Sequence, residues 1–132
     1  MNEVWQDKIP PQDIEAEQAV LGAIFLDSDT LIDAMEIVTP RSFYRRSHQI
    51  IFQSMFQLSN RGEAIDLVTL KAEIEKSNAL EDIGGISYLS ELSQSTPSSA
   101  SVSYYAKIVD DKSLLRQLIQ TANQIVVKSF EQ

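Results

Sequence analysis

The chain has 132 residues, 43% of them apolar, which is enough for one globular domain with a core of its own. It contains no cysteine, which excludes disulfides, thiol catalysis and cysteine-held zinc or iron–sulfur sites. The formal net charge of −8 opposes binding to phosphate backbones, and neither a membrane span nor a secretion signal is recognised, so we expect a cytoplasmic protein.

Three regions follow one another along the chain. The N-terminal tail, residues 1–12, ends in two prolines and is expected to lie extended on the surface, with Trp5 and Ile9 packed against the body. Residues 13–95 are predicted to form a globular helical bundle. Residues 96–132 are predicted to form a serine-rich loop and one long helix.

Helical periodicity dominates the body, and the alternation typical of strands is nearly absent. Asp13 and Asp66 suit the N-caps of two helices, and Gly22 inside the first helix indicates a close helix crossing. The pattern therefore predicts an all-α fold, a compact multi-helix orthogonal bundle. Its helices are expected at Ile14–Leu26, from Asp27 to the residue before Pro40, Ser47–Asn60, Leu67–Ser77 and Ile86–Leu92, with a short helical turn at Leu80–Ile83.

The long C-terminal helix carries the most informative pattern. No glycine or proline interrupts residues 98–132, so a helix of roughly 28–30 residues, about 40–45 Å long, can form. A domain of ~130 residues is only about 25–30 Å across, so the helix overhangs its body and its apolar face needs a partner. That face is a heptad seam with one polar break, widened on one side by Leu114, Leu118 and Ile125: Tyr105, Ile108, Lys112, Leu115, Ile119, Ala122 and Val126.

No residue pattern in the chain predicts catalysis. None of the four glycines precedes a lysine, as a phosphate-binding loop requires. His48, the only histidine, is expected in a packing or helix-start position rather than a catalytic one. The carboxylate pairs Glu15/Glu17 and Asp27/Asp29 are expected to serve as helix caps and solvated faces rather than as metal ligands.

Two features beside turns are candidates for partner contacts. Arg45 and Arg46, next to Tyr44, suit an anionic group, although an ordinary surface position is the simpler interpretation. The pair Gly84-Gly85 permits a sharp turn. It leaves Tyr88 nearby, where an aromatic side chain serves either as core or as an interface anchor.

Several segments are distributed, in chain order, along nearly the whole sequence: Pro10–Gln12 with Ile14–Gly22, Phe43-Tyr44 with His48 and Ile51, Ile65–Leu70, Gly84–Leu89 and Tyr104–Val109. Together they resemble the N-terminal domain of the bacterial replicative DNA helicase, the DnaB family, and most closely its Gram-positive branch. The resemblance implies a compact helical body followed by a helical hairpin. In that family hairpins pair between subunits, and the dimers form a threefold collar on a hexameric ring.

The resemblance also implies a partner and a division of labour. The collar recruits primase through that enzyme's C-terminal helicase-binding domain, while a separate ATPase domain binds ATP and Mg²⁺ and unwinds DNA. Neither the ATPase domain nor the second hairpin helix is present, so the resemblance implies a fragment truncated before that helix, with no cofactor of its own. Primase binding or its transmission is expected at Glu15, Tyr88, Ile119 and Ile125. Self-association is expected at Leu115, Leu118, Ile119, Ala122 and Val126.

The leading hypothesis is a non-catalytic collar domain that mediates dimer and ring assembly and recruits primase, without direct contact to nucleic acid, membrane or metal. One alternative is a free-standing helicase-loading or adaptor protein. A second is a domain that guides single-stranded DNA, which the −8 charge and the lack of an aromatic-basic groove disfavour. A third is an independent small enzyme, which the missing nucleotide, metal and nucleophile patterns disfavour.

Overall fold

The computed structural model describes residues 8–132, and within that range the chain is helical with no strand. The all-α prediction is confirmed. A 3₁₀ turn at Pro40–Ser42 separates the second helix from the third, and the α-helices in chain order are α1 Ile14–Leu26, α2 Thr30–Met35, α3 Arg46–Asn60, α4 Leu67–Glu75, α5 Gly85–Ser93 and α6 Val102–Glu131.

Two predicted elements differ from the observed ones. The second helix was expected to continue to Pro40, but α2 ends at Met35 because the chain closes a turn there, with the amides of Ile37 and Val38 both bonded to the carbonyl of Ala34 at 3.0 and 2.9 Å. Val38 is then buried in the core. The segment Leu80–Ile83 is a turn rather than a helix.

Helix α1 is the central element of the body and packs against α2, α3, α5 and α6. Its apolar residues lie around most of its circumference, which is typical of a buried helix. Val20, Leu21, Ala23 and Ile24 are fully buried. The predicted N-cap is confirmed, because the carboxylate of Asp13 accepts a hydrogen bond from the amide of Ala16 at 2.9 Å.

Gly22 marks the close crossing of α1 and α5, as the sequence predicts. A β-carbon at this position would lie 2.9 Å from the carbonyl oxygen of Leu92 and would collide with the hydroxyl of Ser95. The hydroxyl of Ser95 donates to the carbonyl of Gln18 at 3.1 Å, which joins the two helices at the same place. The absent side chain therefore allows two backbones to approach closely.

The helices α3 and α4 close the other side of the core. The inward face of α3 carries Ile51, Phe52, Met55 and Leu58, all buried. The helix ends beside Gly62, whose φ of +73° is in the region that favours glycine, as predicted.

Helix α6 has 30 residues and extends about 45 Å. Its buried row consists of Val102, Ala106, Val109 and Ser113. The seam expected from the sequence runs through Tyr105 and Ile108 instead, which only flank this row and are half-buried. Two of the four residues of the buried row, Ala106 and Ser113, are small and give a weak signal in a periodicity search, so the row is interrupted in the sequence pattern.

Beyond Ser113 none of the residues of α6 is buried. At 100° per residue, most of the apolar side chains of this outer half point to the side of the helix away from the buried row, whereas Val127 lies on the side of that row and Phe130 between the two. They are 45–85% exposed: Leu114, Leu115, Leu118, Ile119, Ile125, Val127 and Phe130. The expected exposed apolar face is thus confirmed, although it lies on the side that faces away from the body.

The N-terminal tail differs from its prediction. Ile9 is 80% exposed and does not pack as an anchor. Trp5, the other expected anchor, lies outside the described residues. The tail is held instead by its backbone, because the side chain of Arg116 on α6 donates a hydrogen bond of 2.8 Å to the carbonyl oxygen of Pro11.

Candidate partner-docking site

A chain of polar side chains passes from the core to the surface. Nδ1 of His48 on α3 lies 2.7 Å from Oε1 of Glu17 on α1. Nε2 of His48 lies 2.6 Å from the hydroxyl of Tyr88 on α5. Glu17 and His48 are almost fully buried, with side-chain exposures of 1% and 0%, while Tyr88 is half-buried. Three helices are therefore joined by one hydrogen-bonded series of side chains.

The position of Glu17 corrects the sequence analysis, which expected this carboxylate in a cap or on a solvated face. Its Oε2 accepts a hydrogen bond of 2.7 Å from the amide of Tyr44, and its Oε1 accepts a weaker one of 3.4 Å from the amide of Arg45. These donors stabilise a buried carboxylate, which would otherwise be costly. Glu17 thereby also fixes the turn that precedes α3.

The hydrogen-bond partners of Tyr88 indicate which tautomer of His48 fits the series. The phenol oxygen accepts hydrogen bonds from the side-chain amide of Gln18 at 3.2 Å and from the guanidinium of Arg45 at 3.3 Å. Both acceptor positions of a phenol oxygen are then used, so its single proton is available for Nε2 of His48. The arrangement suits a neutral His48 that donates from Nδ1 to Glu17 and accepts from Tyr88 at Nε2.

The outer end of the series is a polar surface around Tyr88. Arg45 is exposed, and Gln18 is half-buried on the same side of the body. The ring of Tyr88 stacks on the imidazole of His48, with centroids 5.9 Å apart and planes 13° apart. Glu15 is solvent-exposed near the start of α1, two residues before Glu17. Tyr88 is thus a half-buried side chain with an ordered exposed edge, which suits an interface anchor.

A second surface lies on the outer half of α6. A groove of about 1230 Å³ separates this helix from the tail and from the turn before α3. Its wall on the helix side is mostly polar, and Leu118, Ile119 and Ala122, which belong to the exposed apolar face, border it. Lys8 and Arg41 line it opposite, and none of the described residues in its wall is acidic.

The expected site residues therefore fall into two groups. Glu15 and Tyr88 lie on the body, whereas Ile119 and Ile125 lie on α6 beyond its last buried residue. All of the residues expected to take part in self-association lie on that outer half of α6, and all are exposed except Val126, which is half-buried: Leu115, Leu118, Ile119, Ala122 and Val126.

Sequence reasoning missed Glu17 and His48 as members of a functional cluster. The signal that could have identified them is their spacing from buried apolar residues on the same helix. His48 precedes the buried Ile51 and Phe52 by three and four positions, and Glu17 precedes Val20 and Leu21 by the same intervals. A polar residue on the core face of a helix needs a partner there. One sequence does not show which partner.

The described residues offer neither a metal site nor a helix that could cross a membrane. Within residues 8–132, no three His, Asp or Glu side chains are grouped so that they could hold a metal ion. Among the helices of that range, none combines the length and apolarity that a membrane crossing requires.

Known sequences identify the family of this chain. The family model described as the DnaB-like helicase N terminal domain matches residues 9–111. The replicative DNA helicase DnaB of Geobacillus stearothermophilus is 56% identical over 130 residues. The replicative DNA helicase DnaC of Bacillus subtilis (strain 168) is 52% identical over 130 residues. Each alignment covers 98% of this chain and 29% of the relative, so the chain spans less than a third of the length of these curated relatives.

Solved structures share the fold. The crystal structure of the N-terminal domain of DnaB helicase from Mycobacterium tuberculosis superposes with a TM-score of 0.89 and 40% identity, covering 92% of this chain and 88% of that one. A structure described as a DnaB-like replicative helicase and its interactions with primase gives a TM-score of 0.77 and 28% identity, covering 91% of this chain and 28% of the other. The resemblance found in the sequence is confirmed, and the chain belongs to the DnaB-like helicase N-terminal domain family.

Proposed function

We propose that this chain acts as an assembly and partner-docking domain of a replicative helicase, and that it recruits primase during DNA replication. The observation that carries the proposal is the outer half of α6, which exposes a row of large apolar side chains on the side opposite the body. An exposed apolar face of this extent marks a protein–protein contact. Membership of the family and the primase interaction described for a structural neighbour support a second copy of the chain and primase as the partners of that contact.

Within the proposal, α6 has two tasks. Leu115, Ile119, Ala122 and Val126 recur at intervals of four, three and four residues, the spacing of a helix–helix seam. This row serves self-association, as in a dimer within a hexameric ring. The neighbouring position Ile125 stays on the edge of the seam and is left for primase.

The body supplies the second half of the primase surface. Tyr88 presents an ordered aromatic edge beside Arg45, and Glu15 adds a carboxylate on α1. Aromatic and arginine side chains are over-represented among the residues that carry binding energy at interfaces. The helicase-binding domain of primase would therefore contact Glu15 and Tyr88 on the body together with Ile119 and Ile125 on α6.

The proposed role is organisational rather than catalytic. Unwinding, ATP and Mg²⁺ are assigned to another domain of a longer protein, in keeping with relatives that are about three times as long as this chain. Several copies of the chain held in one ring would make weak single contacts with primase effective through multivalency. Bacterial DNA replication takes place in the cytoplasm, and the proposal places the chain there.

The test is the affinity of the 132-residue chain for the C-terminal helicase-binding domain of primase, measured by isothermal titration calorimetry. We expect Tyr88→Ala to weaken binding by about 10-fold or more, as truncation of an interface anchor does. The matched control is Tyr104→Ala, which removes an equally large side chain that is 70% exposed at the start of α6. We expect this control to bind with unchanged affinity.

Two results would contradict the proposal. The first is no binding between the unaltered chain and the primase domain in either monomeric or associated form, checked by sedimentation of the same mixture. The second is an equal affinity for the Tyr88→Ala and Tyr104→Ala variants, which would remove the body surface from the site.

A further inference from the structure

The pair Glu17–His48 is buried and therefore out of reach of a partner protein. It nevertheless holds the one aromatic side chain that the proposed function places in contact with primase. We propose that Glu17 and His48 are positioning residues, which fix the hydroxyl and ring plane of Tyr88 and so preorganise the docking surface. This inference rests on the proposed function, because it explains why the surface proposed to bind primase is ordered before primase arrives.

Burial makes the pair informative. A carboxylate and an imidazole with side-chain exposures of 1% and 0% occupy core positions on α1 and α3, where apolar side chains are the usual occupants. A buried polar pair is poor evidence for stability, and its best-attested use is to specify one arrangement of the elements that it joins. Here the arrangement that it specifies includes the surface residue Tyr88.

The hydroxyl end of Tyr88 is held from three sides. Nε2 of His48 lies 2.6 Å away, and the side chains of Gln18 and Arg45 lie 3.2 and 3.3 Å away. The shortest contact is the one to His48, whose other nitrogen is in turn fixed by Glu17 at 2.7 Å. His48 is also the side chain on which the Tyr88 ring stacks. The imidazole therefore sets both the position of the hydroxyl and the plane of the ring.

The backbone end of Tyr88 is constrained independently. Gly84 has a φ of +105°, and a β-carbon there would lie 2.8 Å from Cβ of Tyr88. A side chain at position 84 would push the tyrosine away, so the turn before α5 is built to leave room for it. Helix α5 thus fixes the base of Tyr88, Gly84 leaves room for its side chain, and the contact with His48 fixes its tip. A side chain ordered before binding loses less conformational entropy when a partner arrives.

Two substitutions of His48 separate its two contacts. The amide of asparagine reaches about as far as Nδ1, so His48→Asn keeps a donor for Glu17 and loses the contact to Tyr88. The amide of glutamine reaches about as far as Nε2, so His48→Gln keeps an acceptor for Tyr88 and loses the donor to Glu17. Each variant breaks one hydrogen bond of the series, so both lower the midpoint of thermal unfolding.

The primase domain is the probe, and its affinity is measured for each variant at a temperature well below unfolding. We expect His48→Asn to weaken binding about 3- to 10-fold, the range expected when one side chain must be ordered on binding. We expect His48→Gln to bind more tightly than His48→Asn, although both lose stability. Equal losses of affinity in the two variants would show a merely structural role and would overturn the proposal.

A double-mutant cycle supplies the second readout. In a Tyr88→Phe background there is no hydroxyl to hold and only the ring stacking on His48 is left, so His48→Asn should weaken binding by less than it does beside Tyr88. Additive losses would overturn the inference. A Tyr88→Ala variant that binds as well as the unaltered chain would instead contradict the proposed function. If Tyr88→Ala weakens binding while His48→Asn does not, this inference fails and the proposed function stands.

The geometry can also be tested without primase. His48 is the only histidine, so its two ring-nitrogen signals are unambiguous in ¹⁵N NMR spectra of the whole chain. We expect the neutral tautomer with the proton on Nδ1, and a shift of the Nε2 signal in Tyr88→Phe. A proton on Nε2 of the neutral ring, or an Nε2 signal that Tyr88→Phe leaves unmoved, would contradict the hydrogen bond on which the proposal depends.

Discussion

Arg116 donates a hydrogen bond of 2.7 Å from its guanidinium to the carbonyl oxygen of Ser42, in the turn before α3. A second nitrogen of the same group donates to the carbonyl oxygen of Pro11 at 2.8 Å. The guanidinium also lies 5.4 Å from the centre of the Tyr44 ring, within the range of a cation–π contact. One side chain of α6 therefore joins the tail and the turn just where the helix leaves the body.

Replacement of Arg116 should loosen that joint. We expect Arg116→Met to lower the free energy of unfolding by about 1–2 kcal/mol, because two carbonyl oxygens lose a charged donor. Arg116→Lys should recover little of the loss, since an ammonium group does not present the planar fork that reaches both carbonyls. Urea unfolding followed by circular dichroism measures both effects. Lys128→Met on the exposed end of α6 is the control, and a loss of equal size there would refute the assignment.

The crossing at Gly22 makes a second prediction. Alanine is the better helix former by about 1 kcal/mol, so a freely exposed glycine-to-alanine change would stabilise α1. Here the added methyl group meets the Leu92 carbonyl and the Ser95 hydroxyl. We expect Gly22→Ala to destabilise the fold by about 1–3 kcal/mol, as overpacking does. Chemical denaturation tests this, with Gln53→Ala on the exposed face of α3 as control. A stabilised Gly22→Ala would show that α1 and α5 are not closely packed.

The apolar face of α6 makes a third prediction, which concerns association. We expect the average mass of the chain in sedimentation velocity to rise with concentration, and Leu118→Asp to suppress that rise, because a carboxylate in an apolar seam remains unpaired. The matched control is Gln124→Asp, which adds the same charge to the opposite side of the same helix. If the two variants associate equally, this face is not part of the interface.

The ion pairs of Arg61 make a fourth prediction, which concerns pH. The guanidinium of Arg61 holds the pKa of Glu73 and of Glu63 below the ordinary value of 4.5, mainly by direct hydrogen bonds. A carboxyl with a lowered pKa in the folded state stabilises the fold above its ordinary pKa, and this contribution is lost as the pH falls through the folded-state pKa.

We therefore expect Glu73→Gln to be less stable than the unaltered chain at neutral pH, with the difference disappearing as the pH falls through the lowered pKa of Glu73. Urea midpoints measured at a series of pH values test this. High salt should reduce the difference, because the pairs are at the surface. Glu75→Gln, on the exposed side of α4, is the control. A difference between the Glu73→Gln variant and the unaltered chain that does not change with pH would contradict the ion-pair assignment.

Local sequence signals were sufficient for most of the helices. Asp13 and Asp66 cap α1 and α4 as their residue types predict, because capping depends only on a side chain and the amide three residues later. Gly22 and Gly62 likewise have the roles that a missing side chain indicates. The exposed apolar half of α6 could be foreseen because a helix of that length exceeds the width of the body.

The candidate site depended on contacts between residues distant in the chain. Glu17 and Tyr88 are 71 positions apart, and His48 between them was assigned only a packing role. The buried row of α6 was missed for a related reason, because alanine and serine alternate with its two valines and carry little hydrophobic signal.

The sequence by itself therefore determined the helical class, the caps, the glycine at the crossing and the family, since each depends on neighbouring residues or on ordered motifs. Only the tertiary structure decided which face of α6 packs on the body and which polar side chains meet in the core. Those outcomes depend on how helices approach one another, and a hydrogen bond between distant residues has no signature in the local order of the chain.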